Sequence, residues 1–167
     1  GIFITFEGTE GCGKSTQARK AEMYLKNRGF DVLLTREPGG TGLGEQIRDI
    51  LLGGTQNMHP VSELLLYQAS RAEHMQQVVI PALKKNRIVL CDRFIDSTTA
   101  YQSDGRGIGY GLVQKLNTCA SFGIIPDLTI LIDAPLLKGL KAARKISKAV
   151  DGDRLEREGP VFHARVK

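Results

Sequence analysis

The chain has 167 residues, 41% hydrophobic and 25% charged, and its 23 basic and 18 acidic side chains give a net charge of +5. This composition is ordinary for a globular domain and excludes disordered, collagen-like and coiled-coil chains. The apolar runs are far shorter than the roughly 20 residues that span a bilayer. Three cysteines without metal-site spacing favour reduced thiols in the cytoplasm. We therefore expect a single cytoplasmic domain over residues 1–167 with no membrane partner.

Strand and helix patterns alternate along the chain. Apolar, β-branched runs predict strands at 2–7, 31–35, 87–91 and 128–132. Helical periodicity predicts helices at 14–28, 43–52, 62–79, 111–122, 135–145 and about 154–167, with a polar segment at 146–153. Ser62 is the expected N-cap of the third helix, and Pro81 is expected to break or restart it. Long crossovers between apolar strands indicate an α/β fold with a parallel sheet.

The strongest motif lies between the first strand and the first helix. It reads Gly8-Thr9-Glu10-Gly11-Cys12-Gly13-Lys14-Ser15 and matches the phosphate-binding pattern GxxxxGK[ST] at every fixed position. Backbone N–H groups of such a loop and the following helix N-terminus attract phosphates. Lys14 would reach the β- and γ-phosphates, and the Ser15 hydroxyl would bind Mg²⁺. We therefore predict an ATP site over residues 8–16, ending at Thr16; the strand–helix context argues against a chance match.

Asp92 ends the third predicted strand. Ligands of parallel sheets bind at the carboxyl ends of the strands, where an acid can act on Mg²⁺ directly or through water. A helix N-cap or an ion pair with Arg93 are the structural alternatives. We favour Asp92 as the second metal residue beside Ser15.

Further motifs follow the phosphate-binding loop in a fixed order. They are TREPGGT at 35–41, DRF at 92–94, STTAYQ at 97–102, GRG at 105–107 and PDLT at 126–129. Together they make nearly the whole chain resemble the bacterial thymidylate kinases. The resemblance implies a three-layer P-loop NTPase fold and a homodimer that phosphorylates dTMP to dTDP with ATP and Mg²⁺. Because the family usually continues with a fifth strand and a last helix, the chain is expected to be part of a longer polypeptide.

The resemblance also implies a base and phosphate site for dTMP. Tyr67 matches the aromatic residue that stacks on thymine, and Arg71, four residues later on the same helix face, matches the arginine that binds the base edge. A core aromatic is the alternative for Tyr67. Arg48 and Arg93 are the favoured phosphate ligands, since a guanidinium presents a planar fork to phosphate oxygens. Arg36 is a further candidate that could instead form an ion pair within its loop.

The remaining dTMP contacts come from two loops and the phosphate-binding loop. Glu37-Pro38 resembles a family turn with a cis bond, which would place Pro38 against the thymine methyl group. Glu10 matches the acid that reaches the sugar 3′-hydroxyl and the acceptor phosphate, with a solvated loop carboxylate as the alternative. The nucleoside would be lined by Ser97, Thr98, Tyr101 and Gln102. Tyr101 would crowd a ribose 2′-hydroxyl, and Gln102 would read the base.

A lid is expected at about 144–157. The variable positions of the phosphate-binding loop contain no arginine, and family members that resemble this chain in that respect supply cations from a lid. Arg154 is the expected lid arginine, and Arg144 would lie beside the adenine. A solvated charged helix face is the alternative. The predicted catalytic set is Lys14, Glu10, Arg93 and Arg154.

Two other classes of function were weighed against this one. A P-loop kinase for UMP, a deoxynucleoside or a small alcohol would not need the Tyr67–Arg71 pair or the TREPGG loop. A nucleotide switch or nucleic-acid ATPase would suit the net positive charge. However, the sequence has no NKxD-like motif, no run of five basic residues and no interleaved aromatic and basic residues. We therefore expect no nucleic-acid partner.

Overall fold

The computed structural model describes residues 1–53, 57–135, 139, 154–155 and 157–166. The strands are β1 (Ile2–Glu7), β2 (Val32–Arg36), β3 (Ile88–Asp92) and β4 (Leu128–Leu131). The helices are α1 (Lys14–Lys26), α2 (Gly42–Gly53), α3 (Pro60–His74), α4 (Ile80–Lys84), α5 (Ile95–Thr98), α6 (Tyr110–Ala120) and α7 (Pro160–Val166). Two π-helical stretches, Met75–Val79 and Thr99–Gly105, join α3 to α4 and extend α5.

The four described strands form one parallel sheet in the order β2-β3-β1-β4. Ile4 in β1 pairs with Leu90 in β3 on one side and with Leu128 in β4 on the other. The register brings the carboxyl ends of all four strands to one edge, so the loops that follow them meet there. The predicted parallel sheet flanked by helices is confirmed, whereas a fifth strand stays a prediction.

Apolar side chains alternate between the two faces of the sheet. Phe3 and Val89 pack with Met75 and Phe94 in one cluster, whereas Phe6 and Leu90 pack with α1 in another. A buried aliphatic or aromatic side chain contributes about 1.5–3 kcal/mol, so the two clusters fix helices on both faces. A third cluster packs Tyr101 against Leu155, Phe162 and Val166, which ties α7 to the π-helical stretch after α5.

The third helix differs from its prediction at both ends. It begins at Pro60 with His59, not Ser62, as N-cap, and the His59 ring nitrogen Nδ1 accepts the Val61 N–H at 3.3 Å. Proline suits the first helical position because its missing N–H would have no partner there. Pro81 restarts the helix, the second of its two predicted roles, because it lies in the first turn of α4 directly after the π-helical turn.

Two other stretches were predicted incorrectly. No helix was predicted over 95–105, where α5 and its π-helical extension lie; their Ser and Thr residues weaken a helical signal because they compete for backbone hydrogen bonds. The last helix begins at Pro160, not near Arg154, since the Gly159-Pro160 pair sets its first turn. The predicted helix at 135–145 and polar segment at 146–153 lie outside the described residues, apart from positions 135 and 139. No helix in the described part is long and apolar enough to cross a membrane.

Candidate active site

A cleft of about 1020 Å³ opens at the carboxyl edge of the sheet. It is bounded by the phosphate-binding loop, the β2–α2 loop, α3 and the α5 region. The cleft brings together these predicted site residues: Glu10, Gly11, Gly13, Lys14, Ser15, Thr16, Glu37, Pro38, Arg48, Tyr67, Arg71, Asp92, Arg93, Ser97, Thr98, Tyr101 and Gln102. Among the described candidates, Gly8, Thr9, Cys12 and Arg154 do not line it.

The phosphate-binding loop folds around the ammonium group of Lys14. Gly13, with φ of 101°, has a left-handed backbone that glycine adopts without strain. Lys14 is buried; its Nζ donates to the Thr9 carbonyl at 2.6 Å and lies 3.7 Å from the Cys12 sulfur. Burial, reinforced by the nearby Arg93 charge, lowers the pKa of Lys14 to about 8. Thr9 and Cys12 therefore contact the Lys14 ammonium group on the inner side of the loop and do not line the cleft.

Ser15 and Asp92 form the oxygen-rich corner of the cleft. The Ser15 hydroxyl donates a short hydrogen bond to Asp92 Oδ2. Neither structural alternative for Asp92 is observed, since Phe94 is the N-cap of α5 and Arg93 pairs with Glu10. A hydroxyl and a carboxylate are hard oxygen ligands of the kind that Mg²⁺ binds beside substrate phosphates. The two side chains fit the metal predicted for them.

Arg93 bridges the phosphate-binding loop and the α5 region. Its backbone is left-handed, with φ of 73°. The guanidinium donates to the Gly8 carbonyl at 3.2 Å, to Ser97 Oγ at 3.0 Å and to Glu10 Oε1 at 3.1 Å. Burial opposes its charge, but Tyr101, Glu10 and the other acids nearby outweigh burial and raise the pKa of Arg93. A fixed cation therefore stands between the two halves of the cleft.

Glu10 is a buried, ionised acid rather than a solvated one. Its Oε1 accepts the Tyr101 hydroxyl as well as the Arg93 guanidinium. Burial works against ionisation, but the Arg93 charge and the Tyr101 hydrogen bond lower the pKa of Glu10 below its usual value. Its Oε2 has no hydrogen-bond partner among the described residues and lies 3.7 Å from Nδ1 of buried His163. One carboxylate oxygen is thus saturated by the protein.

Arg71 is held from several sides. It is 2% exposed, and its Nε donates to Glu37 Oε2 at 2.8 Å. Its two terminal nitrogens donate to Gln68, Asn117 and Thr98. Glu37 also contacts His74 Nδ1 at 3.0 Å. Burial opposes the charge of Glu37, but the Arg71 charge and His74 outweigh burial and lower the pKa of Glu37. Arg71 thus has a fixed orientation at the cleft wall.

Tyr67 and the β2–α2 loop complete this wall. Tyr67 borders the cluster around Tyr101 and also lines the cleft, so it is both packed and accessible to a ligand. The Glu37–Pro38 peptide bond is cis, as the family turn implied. Arg48 donates to the Pro38 carbonyl at 2.9 Å. Arg36 forms an ion pair, although with Glu45 of α2 rather than within its own loop; the two side chains lie 2.9 Å apart and both are exposed.

Arg154 is placed away from the phosphate-binding loop. Its Nε donates to the Leu51 carbonyl at 2.7 Å, and a terminal nitrogen lies 2.5 Å from Glu63 Oε2. The structure therefore holds it against α2 and α3 rather than in the cleft. Arg144 lies outside the described residues.

The comparisons with known proteins agree with this geometry. A family model described as thymidylate kinase matches residues 6–166. The chain is 50% identical to thymidylate kinases of Geotalea daltonii and of Geobacter sulfurreducens, and each match covers 100% of this chain and 80% of the relative. A crystal structure of thymidylate kinase from Ehrlichia chaffeensis matches with a TM-score of 0.77 at 42% identity, over 86% of this chain and 82% of that chain. This chain belongs to the thymidylate kinase family.

Family membership confirms the predicted activity class. The expectation of a P-loop phosphotransferase that converts dTMP to dTDP is confirmed. The α/β P-loop fold of a thymidylate kinase is also confirmed.

Several buried polar residues of the kinase site escaped the sequence analysis. Glu7 accepts the Phe94 N–H at 2.7 Å and the Ser97 hydroxyl at 2.5 Å, and its pKa is raised chiefly by burial. Glu63 and His74, on α3, hold Gln102 and Glu37. For Glu7, the sequence did offer one signal of a role in the site, because Glu7 is an acid at the end of a buried strand. The partners of Glu63 and His74 lie 39 and 37 residues away, beyond any local pattern.

Proposed function

We propose that the cleft binds ATP at the phosphate-binding loop and dTMP against α3 and the α5 region, and that it transfers the γ-phosphate directly between them. The observation that carries the proposal is the position of Arg93. Its guanidinium contacts Gly8 of the loop and Ser97 of the α5 region at the same time. A cation that joins two subsites in one cleft suits transfer between two bound nucleotides better than hydrolysis at a single site.

On the ATP side, backbone N–H groups of residues 8–16 surround the phosphates and Lys14 contacts the β- and γ-phosphates. Nζ of Lys14 donates to the Thr9 carbonyl, and binding of ATP exchanges that contact for phosphate oxygens. Ser15 and Asp92 would hold Mg²⁺, which would supply positive charge to the phosphates.

On the dTMP side, the residues divide between phosphate, sugar and base. Arg48 and Arg93 bind the dTMP phosphate, and Glu10, which lines the cleft, reaches the 3′-hydroxyl. Ser97 and Thr98 line the nucleoside, while Tyr101 excludes a 2′-hydroxyl. The base is held by the following residues: Pro38, Tyr67, Arg71 and Gln102, with Glu37 behind Arg71.

The reaction requires little covalent chemistry from the protein. An oxygen of the dTMP phosphate attacks the γ-phosphorus, and the bond from that phosphorus to the β-phosphate oxygen breaks, giving dTDP and ADP. Such transfer is accelerated mainly by alignment and by charge placed on the migrating group. Lys14 and Arg93 place positive charge at this point, and Glu10 orients the acceptor sugar.

The lid, the dimer and the location complete the proposal. Arg154 stays a predicted lid cation, and Arg154→Ala with unchanged turnover would exclude it. Arg144 is proposed to lie by the adenine. A homodimer is supported by Ile50 on α2 and Leu65 on α3, apolar side chains that are about half exposed. We place the enzyme in the cytoplasm.

The test is ADP release by purified protein with Mg-ATP and a panel of acceptors: dTMP, dUMP, UMP, dCMP, AMP and water. We expect turnover with dTMP far above that with UMP, AMP and dCMP. Turnover with water alone, or equal turnover with every acceptor, would refute the proposed acceptor site.

A further inference from the structure

A buried acid, Glu63, sits directly behind the cleft and contacts one of its lining residues. Glu63 is 0% exposed and does not line the cleft itself. Its Oε1 accepts Nε2 of Gln102 at 2.8 Å and Nε of Arg106 at 3.1 Å. Its Oε2 faces two further guanidinium nitrogens, from Arg106 at 3.0 Å and from Arg154 at 2.5 Å. The carboxylate is thus enclosed by nitrogen donors on both oxygens.

Glu63 is ionised in this setting. Burial opposes its charge, but the hydrogen bonds from Arg106 and Gln102, with the Arg106 and Arg154 charges, lower the pKa of its carboxyl below the usual value. An ionised carboxylate only accepts hydrogen bonds. The partner atom on Gln102 must therefore be the amide nitrogen, which fixes the orientation of the whole amide group.

The fixed amide points the carbonyl oxygen of Gln102 away from Glu63. Gln102 is 1% exposed, lines the cleft, and its Oε1 has no hydrogen-bond partner among the described residues. The NH₂ group is held at Glu63, so a ligand on the opposite side of the amide meets the carbonyl oxygen.

Arg71 supplies the complementary donor on the same cleft wall. A guanidinium has five N–H groups. Four of the Arg71 N–H groups donate to residues in the described part of the protein, namely Glu37, Gln68, Asn117 and Thr98. One N–H on a terminal nitrogen is left for a ligand. The wall thus offers one donor and one acceptor.

We infer that Glu63 is a positioning residue that sets base selectivity by turning the Gln102 carbonyl toward the base. This inference rests on the proposed dTMP site. Thymine presents its O4 acceptor next to its N3–H donor, which matches an Arg71 donor next to a Gln102 acceptor. Cytosine presents the reverse pattern, an amino donor next to an N3 acceptor, and is rejected. Glu63 thereby selects between bases without touching either.

The isosteric variant Glu63→Gln tests this role. In the variant, we expect the new amide oxygen to keep the Oε2 position beside the Arg106 and Arg154 nitrogens. Its NH₂ group then replaces the oxygen that accepted from Arg106 Nε and from Gln102. Gln102 then turns its own oxygen toward position 63 and presents NH₂ to the base. We expect the ratio of kcat/KM for dTMP over dCMP to fall at least about tenfold, the size of one reversed hydrogen bond. The change should arise from a higher KM for dTMP and a lower KM for dCMP.

Glu158→Gln is the matched control. Glu158 accepts from the same Arg106 at 2.5 Å but does not contact Gln102 in the described structure. The control weakens the same cluster through the same chemical change, and we expect it to keep the wild-type selectivity ratio. Loss of folding alone lowers activity with both acceptors and does not improve dCMP.

Glu63→Asp covers the case in which Glu63→Gln does not fold. It keeps the charge against the arginines but shortens the reach to Gln102, so the selectivity ratio should fall without a gain for dCMP. A wild-type enzyme that does not prefer dTMP would overturn the proposed function itself. A selective wild type with unchanged selectivity in the folded Glu63 variants would overturn this inference alone.

Discussion

Glu37→Gln is predicted to be one of the most damaging isosteric changes in the kinase. Glu37 is 5% exposed, and its two oxygens separately hold Arg71, at 2.8 Å, and His74, at 3.0 Å. The variant keeps the volume of the side chain but removes its charge. Arg71, which is 2% exposed, then remains buried without its only ion-pair partner in the described structure.

The size of the effect follows from burial. Removing one partner of a buried ion pair costs about 3–5 kcal/mol, because the other charge is left uncompensated. A domain of this size shifts its melting temperature by roughly 2–4 °C for each kcal/mol. We therefore expect a drop of about 6–20 °C. Since Nε of Arg71 also loses its anchor, the KM for dTMP should rise while the KM for ATP stays unchanged.

Thermal unfolding and steady-state kinetics on Glu37→Gln and on a control variant test this prediction. Glu22→Gln is the matched control, because Glu22 pairs with Lys26 at 2.7 Å on the exposed surface of α1. An exposed pair contributes less than about 1 kcal/mol, so its melting temperature should stay within about 4 °C of the wild type. A Glu37→Gln protein that melts as the control does would refute the buried-pair reasoning.

The remaining predictions concern the phosphate end, the sugar and the pH dependence. Lys14→Met should lower kcat on the order of 10²-fold or more and leave dTMP affinity, measured by calorimetry, intact. Asp92→Asn should raise the Mg²⁺ concentration for half-maximal activity about 10–100-fold, and an unchanged Mg²⁺ requirement would contradict its role. Tyr101→Phe should reduce the preference for dTMP over UMP in competition assays. Because the pKa of Glu37 lies below 4.5, its stabilisation is complete above that pH and is lost as the pH falls through the lower value. The free energy of unfolding should therefore decline more steeply in acid for the wild type than for Glu37→Gln, as urea titrations can measure.

The sequence predicted those features that depend on local spacing. The phosphate-binding loop, the individual strands and the position of Asp92 at a strand end each follow from a short local pattern, and the parallel arrangement follows from the long crossovers between strands. The pairing of Tyr67 with Arg71 follows from helical period alone. These residues do meet at one cleft.

Features that depend on distant contacts were not accessible from the sequence. Arg71 finds Glu37 34 residues away, and Gln102 finds Glu63 39 residues away. Such pairs form because burial forces each polar group to find a partner, and only the folded structure decides which one. Arg154 illustrates the same limit, since its position within the predicted lid gave no sign of Glu63 as its partner.

The most direct test of the central claim follows the γ-phosphate itself. Purified protein is incubated with Mg²⁺, dTMP and ATP labelled in the γ-phosphate, and the products are separated. Direct transfer across the Arg93 bridge predicts label in the β-phosphate of dTDP, in equal amount to the ADP formed, with transfer slowed on the order of 10²-fold or more in Lys14→Met. Label recovered as inorganic phosphate, with dTMP unchanged, would contradict the account.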